Sequence, residues 1–128
     1  MMAQANIIDV SAETFELEVL HYSNRMPVVI DFWAPWCVPC HIQSPKLAKL
    51  AEEADGAFRL ARINVDEQAK LAEQLKVKNL PTLKAFVDGR IIAEYTGPLS
   101  ETSLRLFLDR ILPQTGSLLL QKGKSLLL

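Results

Sequence analysis

Cys37 and Cys40 are the only two cysteines of the chain, and they stand in the spacing Cys-x-x-Cys. Two thiols that close together can cycle between dithiol and disulfide, or supply part of a zinc site. Their flanks favour redox chemistry. An apolar run from Pro27 to Trp33 leads in, and a helix-like pattern follows from Lys46 to Ala54. A strand that hands two cysteines to the first turn of a helix sets them beside free N–H groups and the positive end of the helix dipole, and both stabilise a thiolate. The thiolate, not the thiol, attacks disulfides. A closed zinc site needs four ligands; beyond the cysteines the chain offers only His41 and a distant His21. Asp31 interrupts the apolar run just before the motif. It is either a hydrogen-bonded core residue or a group that handles protons for the cysteines, and its placement favours the second.

The elements that must position these residues are legible in order. Ile7 to Val10 is a short strand. Ser11 is a candidate N-cap, and Phe15, Val19 and Leu20 give the stripe of a helix from Ala12 to His21. Val28 to Trp33 is nearly continuous in apolar character, as in a strand covered on both faces. Leu47, Leu50, Ala51 and Ala54 recur at helical spacing, and Pro45 lies inside this helix, where a kink is expected. A strand from Phe58 to Val65, a short helix from Ala69 to Leu75 and a strand ending at Val87 follow. Asp88-Gly89 is a two-residue hairpin signal, after which Arg90 to Thr96 returns antiparallel. Gly97-Pro98 breaks that strand, Ser100 caps a last helix, and Leu104, Phe107, Leu108 and Ile111 form its stripe. The alternation argues an α/β fold: a mixed sheet of about five strands, parallel early and antiparallel at the hairpin, with helices on both faces.

Composition narrows the rest. The chain has 128 residues, 49% hydrophobic and 23% charged, with a formal net charge of −1. That is enough for one globular domain, and the absence of a basic stripe argues against nucleic acid. Two cysteines are too few for a disulfide-stapled secreted scaffold. The N-terminus carries no secretory pattern, and no apolar run reaches membrane-spanning length. The expected compartment is the reducing cytoplasm, where Cys-x-x-Cys reads as catalysis more often than as structure.

Asp-Phe-Trp-Ala-x-Trp-Cys-x-Pro-Cys from Asp31 to Cys40, then Pro45, Leu80-Pro81-Thr82, Asp88-Gly89 and Gly97, resembles the thioredoxin family over roughly residues 6–112. The resemblance implies the thioredoxin fold and a protein disulfide reductase working through a mixed disulfide. Cys37 would be the exposed nucleophile and Cys40 the buried resolving thiol. Pro81 would be the family's cis-proline, with Leu80 offering its backbone to an extended substrate. Trp36, Val38, Pro39, Val65, Thr96 and Gly97 would complete the docking surface, and Asp31 would handle protons for Cys40. The implied partners are disulfide-containing proteins and a thioredoxin-reductase-like donor. No cofactor or metal would be bound, and NADPH would enter only through that donor, since no dinucleotide motif is present.

The pattern is departed from in places. Val38 stands where the family usually has Gly, which bears on partner choice. Arg62 falls where a Lys often accompanies the buried Asp; Arg keeps its charge, so it is expected to lower the Asp31 pKa relative to a Lys-bearing relative. Residues 1–113 form the expected domain. Residues 114–128 repeat Ser-Leu-Leu-Leu and read as a leucine-rich extension, the start of a helical region. That junction resembles the one in chaperedoxins, and it raises an alternative: a holdase domain that binds unfolding client proteins.

Overall fold

The computed structural model describes residues 6–112. The expected extension at 114–128 lies outside the described residues. Five strands form one sheet: β1 (Ile7–Asp9), β2 (Val28–Trp33), β3 (Arg59–Asn64), β4 (Thr82–Val87) and β5 (Arg90–Thr96), in the order β1-β3-β2-β4-β5. β1 and β2 both run parallel to β3, whereas β4 is antiparallel to β2 and β5 to β4. The β4–β5 turn is Asp88-Gly89, with φ of 52° and 77°. Two positive φ values are what a two-residue hairpin turn demands, and Gly accepts the second without a Cβ clash.

β2 lies mid-sheet, and Val28 to Phe32 are all buried. That is why its sequence is apolar on both faces. One face packs on α1 (Val38–Glu53) and α3 (Glu101–Ile111). Leu47, Leu50, Leu104 and Leu108 meet Val29, Leu60, Leu83 and Ala85 there. On the other face Val19 and Leu71, the latter from α2 (Ala69–Gln74), meet Ile30, Phe32, Ile63 and Phe86. This is the mixed five-stranded sheet, covered on both faces, of the thioredoxin fold.

The expected α-helix from Ala12 to His21 is not what forms. Residues 12–14 make a turn, Glu16–His21 winds as a π-helix and Tyr22–Asn24 as a 3-10 turn. Ser11 N–H donates to Thr14 Oγ1 at 3.0 Å and Thr14 N–H to Ser11 O at 3.1 Å, so the first turn is spent on local hydrogen bonds. Phe15, Val19 and Leu20, four and five residues apart, all pack on the sheet. The wider i→i+5 winding puts that spacing on one face.

α1 begins at Val38, well before the apolar stripe that revealed it, and continues through Pro45. Its start is fixed by Cys37, whose backbone is extended at φ −89°, ψ 100°. The end of β2, one tight turn and the first residues of α1 therefore carry the whole motif.

Candidate active site

Cys37 is the N-cap of α1. Its Sγ accepts a hydrogen bond from the Cys40 N–H at 3.2 Å, as an N-cap side chain does. Pro39 sits in the first turn, where its missing N–H leaves no helical bond unmade. Cys37 and Cys40 form a disulfide with their Cα atoms 5.3 Å apart.

Cys37 was expected to be exposed; with the disulfide closed it is only 3% accessible. Ala34, Trp33, Val65 and Leu80 pack around the two sulfurs. The exposed surface at the motif belongs to its neighbours, Trp36 at 65% and Val38 at 66%. Trp36 Nε1 donates to Asp66 Oδ1 at 3.2 Å, which orients the indole over the adjoining loop. His41 is exposed; its Nε2 lies 2.8 Å from Pro35 O.

A second wall comes from the start of β4, the strand paired with β2. The Leu80–Pro81 peptide is cis. Gly97 N–H donates to Pro81 O at 2.8 Å, and the Thr82 and Thr96 hydroxyls lie 3.2 Å apart, so the strand end of β5 is tied to this loop. Gly97 has φ of 115°, a conformation L side chains rarely adopt. Beside Leu80 runs a groove of about 300 Å³ lined by Trp36, Val65, Val77, Lys78, Asn79 and Leu80. Trp36, Val65 and Leu80 therefore share one groove, Thr96 and Gly97 border Pro81, and Val38 and Pro39 stand on the first turn of α1.

Asp31 is buried beneath α1, on the sheet face that carries Val29. Burial pushes its carboxyl above the ordinary carboxylate value; a hydrogen bond from Ser44 and the charge of Arg62 pull the other way without cancelling this. Ser44 Oγ donates to Asp31 Oδ2 at 2.6 Å. Arg62 is the register neighbour of Asp31 on β3, with Nε 3.7 Å from Oδ2, an electrostatic contact beyond hydrogen-bond length. The Arg62 guanidinium lies over the Trp33 ring, 4.6 Å from its centroid.

Two residues here escaped the sequence reading. Ser44 is one turn after Cys40 and nearly one before Leu47, so it lies on the buried stripe; a hydroxyl breaking that stripe was the signal. Gln43 is buried, and its Oε1 accepts from Leu99 N–H at 2.7 Å, linking α1 to the loop after Gly97. Among the described residues no group of three or more His, Cys, Asp or Glu side chains is placed to hold a metal ion, and no helix is long and apolar enough to cross a membrane.

The family model for thioredoxin matches residues 6–110. A thioredoxin of Acidithiobacillus ferridurans is 40% identical over 103 residues, covering 80% of this chain and 94% of the relative. Thioredoxin 1 of a Nostoc species is 34% identical over 110 residues, covering 86% of this chain and 98% of the relative. A thioredoxin of Pseudomonas aeruginosa is 36% identical over 104 residues, covering 81% and 94%. A redox-active disulfide at a helix start, on this sheet and with likeness across nearly the whole length of such relatives, leads to one assignment: the chain belongs to the thioredoxin family and is a protein thiol–disulfide oxidoreductase.

Proposed function

We propose that Cys37 is the attacking thiolate and Cys40 the resolving thiol in the reduction of protein disulfides. The observation that carries this is the Cys40 N–H aimed at Cys37 Sγ from the N-terminus of α1. A sulfur placed there is stabilised as an anion by the helix end. The Cys37 thiolate attacks one sulfur of a substrate disulfide and forms a mixed disulfide, and the other substrate sulfur leaves with the bonding pair. Cys40, once deprotonated, attacks Cys37 Sγ and expels the second substrate thiolate. Two electrons pass to the substrate, and Cys37–Cys40 is left oxidised.

The extended substrate segment lies in the groove beside Leu80 and Pro81, against Trp36, Val38, Pro39 and Val65, with Thr96 and Gly97 at its far border. Asp31 accepts the Cys40 proton, supported by its burial on the α1 face, which pushes its carboxyl above the ordinary carboxylate value. Arg62 tempers that push. Electrons return from a thioredoxin-reductase-like partner that alone uses NADPH, and the protein works in the reducing cytoplasm as a domain spanning residues 1–113. The holdase alternative leaned on residues 114–128, outside the described residues, and gains no support from the comparisons.

Insulin reduction tests the assignment of the two thiols. Cys37→Ser abolishes turnover, and Cys40→Ser accumulates a covalent mixed disulfide visible on a non-reducing gel. Sustained turnover by Cys40→Ser removes the resolving role.

A further inference from the structure

Ser44 has a place in this chemistry that the family motif does not assign. It lies four residues after Cys40, so the two side chains share one face of α1, with Cβ atoms about 5–6 Å apart in an α-helix. From that face Ser44 reaches Asp31. Of the two Asp31 oxygens, Oδ2 receives the Ser44 hydroxyl at 2.6 Å and has Arg62 Nε at 3.7 Å. Oδ1 is buried and has no protein hydrogen-bond partner among the described residues. On the other side of Ser44 a cavity of about 370 Å³ is lined by Ile7, His41, Ser44, Pro45, Ala48 and Arg62. Ser44 thus stands between the carboxylate and that cavity. The charged group facing Asp31 is Arg62 from β3, and α1 presents Ser44 to it; His41 stands at the cavity wall, and the register neighbour of Asp31 on β4 is the apolar Leu83.

We propose that Ser44 is a positioning residue of the resolving step: by holding Oδ2 it turns Oδ1 of Asp31 toward the first turn of α1, as the oxygen that takes the Cys40 proton. This rests on Asp31 being that proton acceptor. The step balances within the protein. Cys40 Sγ–H gives its proton to Asp31 Oδ1, and the freed pair on Cys40 Sγ forms the bond to Cys37 Sγ. The bond from Cys37 to the substrate sulfur breaks, and that sulfur leaves as a thiolate with the bonding pair. The Ser44 hydrogen bond favours the ionised carboxylate, so it also sets the pH above which Asp31 is free to accept.

The test loads Cys37 of the reduced protein with 5,5′-dithiobis(2-nitrobenzoate) and follows release of the two nitrothiolates by stopped flow across pH. The first release reports attack by Cys37, the second attack by Cys40. In Ser44→Ala the second release is expected to slow about tenfold below its pH midpoint, and the midpoint to move to higher pH, as loss of a hydrogen bond to a charged group requires. The first release keeps its rate. Ser44→Thr and Ser44→Val have nearly the same shape and differ in the hydroxyl; Thr restores the wild-type profile and Val behaves as Ala. A wild-type pH midpoint in both Ala and Val, or equal slowing in Thr and Val, overturns the proposal. Asp31→Asn separates the two levels. If it slows the second release while Ser44→Val does not, Ser44 alone is dismissed; if it leaves the second release unchanged, the proton-accepting role of Asp31 falls, and this proposal with it.

Discussion

Asp31 and Arg62 face each other across the β2–β3 pair, Nε to Oδ2 at 3.7 Å, yet the carboxyl still lies above its ordinary pKa. Desolvation outweighs the ion pair here. The contact is too long for a hydrogen bond, and the guanidinium divides its position between the carboxylate and the Trp33 ring. A buried carboxylate so arranged costs stability and retains proton affinity, and the first two predictions follow from that balance.

Asp31→Asn stabilises the fold at neutral pH. The sign follows from linkage: an acid whose folded pKa is raised binds more protons folded than unfolded between the two pKa values, so stability falls as pH rises through that window. Below the unfolded value of about 3.9 both states are protonated and the difference vanishes. The expected gain at pH 7 is about 1–3 kcal/mol, the scale for imperfectly compensated buried polar groups. Urea unfolding at pH 3 and pH 7 checks it; a gain of equal size at both contradicts the account.

Arg62→Lys raises the titration midpoint of Asp31. A lysine reaches the carboxylate as a point charge, gives up most of the stacking on Trp33 and can itself lose a proton. Carboxyl carbon NMR of the reduced protein follows Asp31 directly. An identical midpoint in wild type and variant shows that Arg62 does not tune it.

Gln43→Leu loosens the loop after Gly97. The Leu99 N–H loses its 2.7 Å acceptor, which costs about 1–3 kcal/mol if the group stays unpaired. Because that loop follows Gly97, itself bonded to Pro81 O, KM for insulin is expected to rise more than kcat falls. Unfolding curves and steady-state kinetics measure both; unchanged stability and KM discard the link.

Val38→Gly weakens docking of protein substrates and spares small ones. The side chain is exposed between the cysteines, and complete burial of a valine is worth about 1.5–3 kcal/mol. Partial coverage in a complex implies a rise in KM for insulin of about threefold to tenfold. Turnover of 5,5′-dithiobis(2-nitrobenzoate), which covers little surface, serves as the control. Equal loss on both substrates would instead point to a weakened start of α1.

Much of this architecture was legible in the residues. Apolar continuity marked β2 as a central strand, Asp88-Gly89 marked the hairpin, and the spacing of Leu47, Leu50, Ala51 and Ala54 marked the buried face of α1. Other features depend on what the fold brings near. The segment from Phe15 to Leu20 carries an ordinary apolar stripe, and only packing on the sheet selects the wider winding. The start of α1 is marked by the cysteines and not by an apolar stripe, because Val38, His41 and Ile42 face solvent and carry no periodic signal. The inward placement of Ser44 and Gln43 is faint in the sequence, because a polar residue in a helix is usually on its wet side. The low accessibility of Cys37 in the disulfide form is not written in its own segment, because it depends on neighbours from distant segments, Val65 and Leu80 among them.

The sulfur that closes the disulfide is also the acceptor that caps α1. A cysteine sulfur accepts a hydrogen bond as thiolate as well as in a disulfide, so gaining or losing two electrons need not unmake the helix start. The bridged residues are three apart in sequence, so the bridge confines the unfolded chain less than a long-range one would. The site can therefore change redox state without rebuilding the start of α1.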